Sequence, residues 1–188
     1  MKSGLIRAFV ALPIPALQRE ALARYSAACA QAAPDLRWVP APNLHLTLRF
    51  LGSREPEVLD ALQARLGALQ SPRFELELGG LGTFGGQRAR VVWIGLTAGQ
   101  AAAQSLAAQV EAACEASGLE PEPRPLRAHL TLARSRERGG VVVPRLPPLP
   151  GLAGWSADSF VLYRSRLGKG PAQYEELATY PLLPGLPE

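Results

Sequence analysis

The four-residue sequence His-Leu-Thr-Leu occurs twice in this chain of 188 residues, at 45–48 and again at 129–132. The two copies lie 84 residues apart (from 45 to 129), which is close to half of the chain. They contain both of its histidines and two of its five threonines. A repeat at this distance predicts that the fold consists of two similar halves, each presenting the same histidine.

The spacing within the motif indicates what each half presents. Successive side chains of a β-strand point to opposite faces, so His45 and Thr47 share one face while the leucines point into the core. The same alternation places His129 beside Thr131. If the halves face each other, two imidazoles and two hydroxyls meet across a cleft. Histidine titrates near neutrality, so such a pair is suited to acid–base catalysis, and the hydroxyls to holding a phosphate.

Other kinds of histidine site fit the sequence less well. A zinc site usually takes three or four protein ligands, and no Cys, Asp or Glu repeats with the motif. A Ser-His-Asp triad uses one histidine, and the sequence has no GxSxG nucleophile motif. The sequence therefore favours a two-histidine site without a metal.

The composition limits the class of protein. The chain is 47% apolar and 19% charged, which is typical of one globular domain, here expected to span residues 1–188. No uncharged apolar run of ~18 residues occurs, so no membrane span is expected. Cys29 and Cys114 have no metal-ligand spacing and are expected to be free core residues of a cytoplasmic, uncleaved chain. A net charge of +4 suits an anionic partner.

Hydrophobic periodicity and turn residues predict the elements. Strands are expected at 5–12, 43–51, 74–78, 89–96, 126–133, 155–164 and 173–179, with a short edge strand at 141–143. Helices are expected at 15–33, 56–69 and 101–117. A linker is expected at 38–42, a glycine-rich turn at 79–86 and a proline-rich connector at 120–125. Because several strands follow one another without a helix, the predicted class is α+β.

The residues around both copies of the motif resemble the 2H phosphoesterase superfamily, whose signature is two HxTx motifs about half a chain apart. More narrowly, they are similar to the bacterial RNA 2′,3′-cyclic phosphodiesterases of the LigT/ThpR type, formerly called 2′-5′ RNA ligases. The resemblance covers nearly the whole chain. It rests on the segments 7–13, 37–39, 43–52, 91–96, 129–134, 162–165 and 174–177.

This resemblance implies a bilobal, pseudo-twofold symmetric fold, in which two antiparallel sheets face a central cleft with helices outside. It implies hydrolysis of RNA 2′,3′-cyclic phosphodiester ends to 2′-phosphates with no metal and no cofactor, and reversible 2′-5′ RNA ligation as the opposite reaction. His45 is implied as the proton donor and His129 as the proton acceptor. Thr47, Thr131 and Arg134 are implied to bind the phosphate.

Three of the candidate site residues depend on local strand geometry. Arg134 lies five positions after His129, so strict alternation places it on the opposite face unless a bulge or the strand end intervenes. Arg49 has the same parity as His45 and is therefore a candidate substrate-binding residue. Phe9 is a candidate for stacking on a base, although a place in the core is the favoured interpretation.

Two alternatives for the function remain open on the sequence. One is a non-catalytic RNA-binding module that uses the same cleft. The other is a 2H phosphodiesterase acting on 2′-5′ oligonucleotides or on small cyclic nucleotide phosphates. The expected partners are RNAs with 2′,3′-cyclic phosphate ends, tRNA fragments among them, and the chain is expected to be a monomer without an obligate protein partner.

Overall fold

The computed structural model describes residues 4–168 and 170–184. In these ranges the chain forms nine strands, three α-helices and a short 3₁₀ helix at Ala41–Asn43. The strands are β1 (Ile6–Pro13), β2 (Leu36–Trp38), β3 (His45–Arg54), β4 (Phe74–Phe84), β5 (Val91–Ala98), β6 (Leu130–Ser135), β7 (Trp155–Ala157), β8 (Ser159–Arg166) and β9 (Gln173–Pro181). The helices are α1 (Ala16–Ala32), α2 (Pro56–Gly67) and α3 (Gln100–Ala116).

The strands pair antiparallel in the order β7-β4-β5-β6-β3-β1-β8-β9, and β2 adds to β6. The two strands that carry the histidine motifs lie at the centre and pair through Leu46 and Leu130. A pseudo-twofold axis through this central pair relates the strands on its two sides, so that β1 corresponds to β5, β8 to β4 and β9 to β7. The expected α+β fold is confirmed, and its two antiparallel sheets are joined at this central pair into one curved sheet.

The leucines of both motifs hold the centre of the sheet against the helices. Leu46, Leu48, Leu130 and Leu132 are each at most 6% exposed and belong to the main core cluster. Fully burying one leucine contributes about 1.5–3 kcal/mol. All three helices contribute to the same cluster, for example through Cys29 of α1 and Cys114 of α3, both free thiols as expected. The histidines lie on the opposite face of the sheet, which is called the histidine face.

The glycine-rich segment is a strand and not the predicted turn. Strand β4 continues to Phe84, and the turn follows it. The cause is cross-strand packing: a Cβ at Gly82 would overlap the ring of Trp93, and a Cβ at Gly79 would lie 2.5 Å from Thr97 Cγ2. Glycine at these positions therefore admits the larger side chains of β5, which the pattern of β4 alone does not show.

Four smaller differences concern element ends. Residues 36–38 form β2, where a linker was expected from 38 onward. Strand β6 starts at Leu130, directly after the histidine. The predicted strand at 155–164 is divided at Asp158 into β7 and β8. The edge strand at 141–143 is reduced to an isolated bridge between Ala89 and Val141.

None of the helices in the described part of the chain combines the length and the apolarity that a membrane crossing requires.

Candidate active site

A cavity of about 90 Å³ lies on the histidine face, where β3 and β6 meet. Five of its lining residues are the site residues predicted from the motifs and the resemblance. The full lining consists of Val39, Asn43, His45, Thr47, Phe50, His129, Thr131, Arg134 and Tyr174. Although the motifs are 84 residues apart in sequence, the central strand pair brings both into one cavity.

Each histidine is held by the main chain two residues before it. His45 Nδ1 lies 2.8 Å from the carbonyl oxygen of Asn43, and His129 Nδ1 lies 2.6 Å from that of Arg127. A carbonyl oxygen only accepts, so Nδ1 carries the proton and donates it in both rings. In the neutral rings Nε2 is therefore the free acceptor, and in the imidazolium form Nε2–H is the free donor.

The surroundings favour the neutral form of both imidazoles. The pKa of His45 is lowered to about 4, mainly by burial; the bond to Asn43 opposes this shift, and the positive charges of Arg134 and His129 add to it. Burial also lowers the pKa of His129, again with contributions from Arg134 and Arg127. With no ligand bound, both rings are therefore neutral at pH 7.

Aromatic rings surround both imidazoles. The Phe9 ring centroid lies 4.7 Å from that of His45, and Tyr174 meets the His45 ring edge-on at 5.4 Å. Phe84 meets His129 edge-on at 5.0 Å, with the Arg127 guanidinium 5.4 Å above the Phe84 centroid. These contacts restrict the imidazoles and exclude water from them, which explains the lowered pKa values.

Phe9 itself is not available to a ligand. It is 3% exposed and packs between His45, Tyr163 and Tyr174. The favoured interpretation of Phe9, a core position, is correct, and the residue is not placed to stack on a base. Its role is to support the ring of His45.

A β-bulge follows each histidine motif and determines which arginine enters the cavity. Thr47 pairs with Ala11 and Arg49 with Val10, so Leu48 is the extra residue of β3. Likewise Thr131 pairs with Trp93 and Ala133 with Val92, so Leu132 is the extra residue of β6. A bulge reverses the parity of the residues after it. Phe50 and Arg134, equivalent positions of the two strands, therefore face the cavity.

Arg49 is turned to the helix side by the same bulge, which corrects its prediction as a substrate-binding residue. Its Nε lies 2.6 Å from a Glu111 carboxylate oxygen of α3 and its Nη1 lies 3.3 Å from Glu122. Its Nη2 donates to the carbonyl of Glu120 at 2.6 Å. Arg49 thus ties the connector at 120–125 to β3 and α3.

Arg49→Met is expected to lower the free energy of unfolding by about 2–4 kcal/mol, because it leaves two carboxylates and a carbonyl without their buried donor. Urea denaturation measures this. Arg166→Met is the matched control: it removes an ion pair to Glu175 that is about half exposed on both sides, and is expected to cost under about 1 kcal/mol. Equal losses in the two variants would contradict the structural role of Arg49.

Four lining residues, Val39, Asn43, Phe50 and Tyr174, were not predicted as site residues. Phe50 is 55% exposed at the rim of the cavity. The sequence did contain a signal for Phe50. Arg134 can reach the cavity only if a bulge follows the second motif, and the same bulge after the first motif turns Phe50 toward the cavity. Tyr174 reaches the cavity from β9 at the far end of the chain, and nothing in its local pattern indicates this.

The assembled groups suit one kind of chemistry. Two imidazoles each present Nε2, while the hydroxyls of Thr47 and Thr131 and the guanidinium of Arg134 line the same cavity. Hydroxyls and a guanidinium are donors to phosphate oxygens, and the imidazoles can accept one proton and deliver another. Among the described residues, no three His, Cys, Asp or Glu side chains come together to share a metal ion.

The model of the family described as LigT-like phosphoesterase matches the chain twice, over residues 12–93 and over residues 94–172. The chain belongs to this family. Each of the two matches contains one histidine motif, in agreement with the pseudo-twofold strand order of this LigT-like phosphoesterase.

Individual relatives agree with the family match. The chain is 35% identical over 185 residues to a Geobacillus stearothermophilus protein named RNA 2′,3′-cyclic phosphodiesterase, covering 96% of this chain but only 58% of that relative's length. It is 33% identical over 179 residues to an Escherichia coli protein of the same name, covering 94% of this chain and 96% of that protein.

Solved structures show the same fold. The E. coli LigT complex with NADP+ superposes with a TM-score of 0.82 at 30% sequence identity, covering 96% of this LigT-like chain and 99% of that one. The E. coli LigT complex with 3′-AMP gives a TM-score of 0.82 at 30% identity, covering 95% and 98%.

Proposed function

We propose that this LigT-like protein hydrolyses the 2′,3′-cyclic phosphodiester at the end of an RNA to a 2′-phosphate. The observation that carries the proposal is the pair of histidines in one cavity, each with Nδ1 bonded to a main-chain carbonyl and Nε2 free. Both relatives described above carry the name RNA 2′,3′-cyclic phosphodiesterase.

The reaction needs one proton acceptor and one proton donor. His129 Nε2 takes a proton from a water molecule, and the water oxygen forms a bond to phosphorus. The bond from phosphorus to the ribose 3′ oxygen breaks, and His45 Nε2–H protonates that oxygen. The products are a 2′-phosphate and a 3′-hydroxyl, and the proton then returns from His129 to His45 through solvent. The same groups in the same roles support 2′-5′ joining: a 5′-hydroxyl takes the place of water, its oxygen bonds to phosphorus, and the ribose 3′ oxygen leaves with the proton of His45.

The substrate's own charge favours the protonated donor that this mechanism needs. The cyclic phosphate carries one negative charge, and an opposite charge close to an imidazole raises its pKa. Binding therefore counteracts the burial that keeps both rings neutral in the free protein. The hydroxyls of Thr47 and Thr131 and the guanidinium of Arg134 hold the non-bridging oxygens, which are the atoms that gain charge during the attack.

The pseudo-twofold symmetry does not hold for the residues at positions 50 and 134, and this difference supports one orientation of the substrate. Arg134 stands on the His129 strand and Phe50 on the His45 strand. The phosphate charge is attracted to the first and the flat face of a base to the second. The site thus distinguishes the acceptor side from the donor side, although the motifs are identical.

We also propose that residues 1–188 act as a single domain of two similar lobes with this cavity between them, and as a monomer in the cytoplasm. The pseudo-twofold strand order supports the two lobes, and the free buried thiols of Cys29 and Cys114, which are typical of reducing compartments, support the cytoplasm. Cyclic phosphate ends of tRNA fragments are substrates of the proposed chemistry.

Incubating the purified protein with an RNA oligonucleotide that ends in a 2′,3′-cyclic phosphate tests the proposed function. The expected product in the presence of EDTA is the 2′-phosphate, identified by its position-specific ³¹P NMR signal. RNA binding with an unchanged cyclic end would instead establish the binding module. Loss of turnover with EDTA would overturn the metal-independent mechanism.

A further inference from the structure

Two arginines lie side by side at the rim of the cavity. Arg37, in the middle of β2, is paired directly with Arg134 of β6. Directly paired residues of antiparallel strands project from the same face, with Cα atoms about 4.5–5.5 Å apart. Because Arg134 faces the cavity, Arg37 lies on the cavity face beside it, just outside the lining residues.

Both side chains are exposed, and neither forms an ion pair with an acidic side chain in the described residues. Like charges directly opposite each other on neighbouring strands destabilise a sheet. Strand β2 is nevertheless held firmly at this place, since Val39 N–H donates to the Leu132 carbonyl at 2.8 Å and Trp38 Nε1 donates to the Ala33 carbonyl at 3.3 Å. An anion bound between them would offset the repulsion of the two guanidiniums.

One cyclic phosphate does not use both arginines in the same way. In the proposed function the cyclic phosphate binds in the cavity with Arg134, the histidines and the threonines, whereas Arg37 is one strand further out on β2. The next negative charge on an RNA strand is the phosphodiester one nucleotide away from the cyclic end. Side chains as long as arginine on two adjacent strands span that separation.

We propose that Arg37 forms a second phosphate subsite, which binds the phosphodiester next to the cyclic end, so that an RNA strand is a better substrate than a nucleoside cyclic phosphate. This inference rests on the proposed function, and it selects an oligonucleotide over the small cyclic nucleotide phosphates. Arg134 acts at the reacting phosphate and Arg37 at the neighbouring one.

The test compares Arg37→Gln with the wild type on three substrates. They are a nucleoside 2′,3′-cyclic phosphate, the same nucleotide bearing a 5′-phosphate, and an RNA oligonucleotide with a cyclic end. For the two substrates with a second phosphate we expect KM to rise about 10-fold with kcat nearly unchanged, since one charged contact is lost. For the nucleoside cyclic phosphate we expect no change. The dependence of log KM for the oligonucleotide on log salt should weaken by about one unit.

Arg65→Gln on the exposed side of α2 is the matched control, because it removes the same charge far from the cavity. Equal effects of Arg37→Gln on all three substrates, or no effect on any of them, would overturn the subsite while wild-type turnover upholds the proposed function. Absence of wild-type turnover on every cyclic phosphate would overturn the function itself, and the subsite with it.

Discussion

His45→Ala and His129→Ala are each expected to lower kcat on a cyclic-phosphate RNA by about 10²–10⁴-fold, because each removes one of the two proton-transfer groups. Both histidines line the cavity and each Nδ1 is held by a main-chain carbonyl, so the remaining imidazole stays in its own place when the other is removed. The double variant should be little slower than the slower single variant, since groups that act together are not additive.

Single-turnover kinetics with saturating RNA measures this loss apart from binding. Circular dichroism verifies the fold, which is expected to persist because both rings lie at the cavity and the leucines behind them are unchanged. Thr179→Ala, at an exposed position of β9, is the control and should retain full activity. Activity within about 10-fold of the wild type in either histidine variant would rule out the two-histidine mechanism.

Arg134→Gln is expected to have the second-largest effect, a loss of about 10²-fold in kcat/KM, because a charged donor to the phosphate is replaced by a neutral one. It should also raise the pKa of both histidines, since the charge of Arg134 helps to lower the pKa of each. Burial is the larger cause for both and is unchanged, so the pKa of each ring should stay below 6.5.

NMR titration of the two imidazoles in the ligand-free protein measures this shift, and only two signals need assignment because the chain has two histidines. Arg65→Gln again serves as the control with the same change in net charge. Unchanged histidine pKa values together with full activity would place the Arg134 guanidinium outside the site.

Much of the fold followed from local patterns. The periods of apolar residues predicted all three helices and most strands within a few residues, because a helix or strand with one buried face must repeat its apolar residues at a fixed period. The exceptions depended on neighbours in space. Gly79 and Gly82 have the local pattern of a turn, yet they form a strand because Thr97 and Trp93 of β5 occupy the space of their missing side chains. Strand β2 forms because β6 offers it an edge.

The repeat itself, with its alternation of polar and leucine positions, was enough to predict the two strands that carry the motifs and four of the groups in the cavity. Successive side chains of a strand point to opposite faces, so a histidine and a threonine two positions apart must point together. The tertiary structure decided in which direction the side chains after the fourth residue of each motif point. The bulges at Leu48 and Leu132 exist only in the pairing with β1 and β5, and they send Arg49 to α3 and Arg134 to the cavity. Alternation is a property of one strand and can be read from the sequence, whereas a bulge is a property of two paired strands. The sequence therefore determined the chemical groups of the site, and the fold decided which arginine joins them.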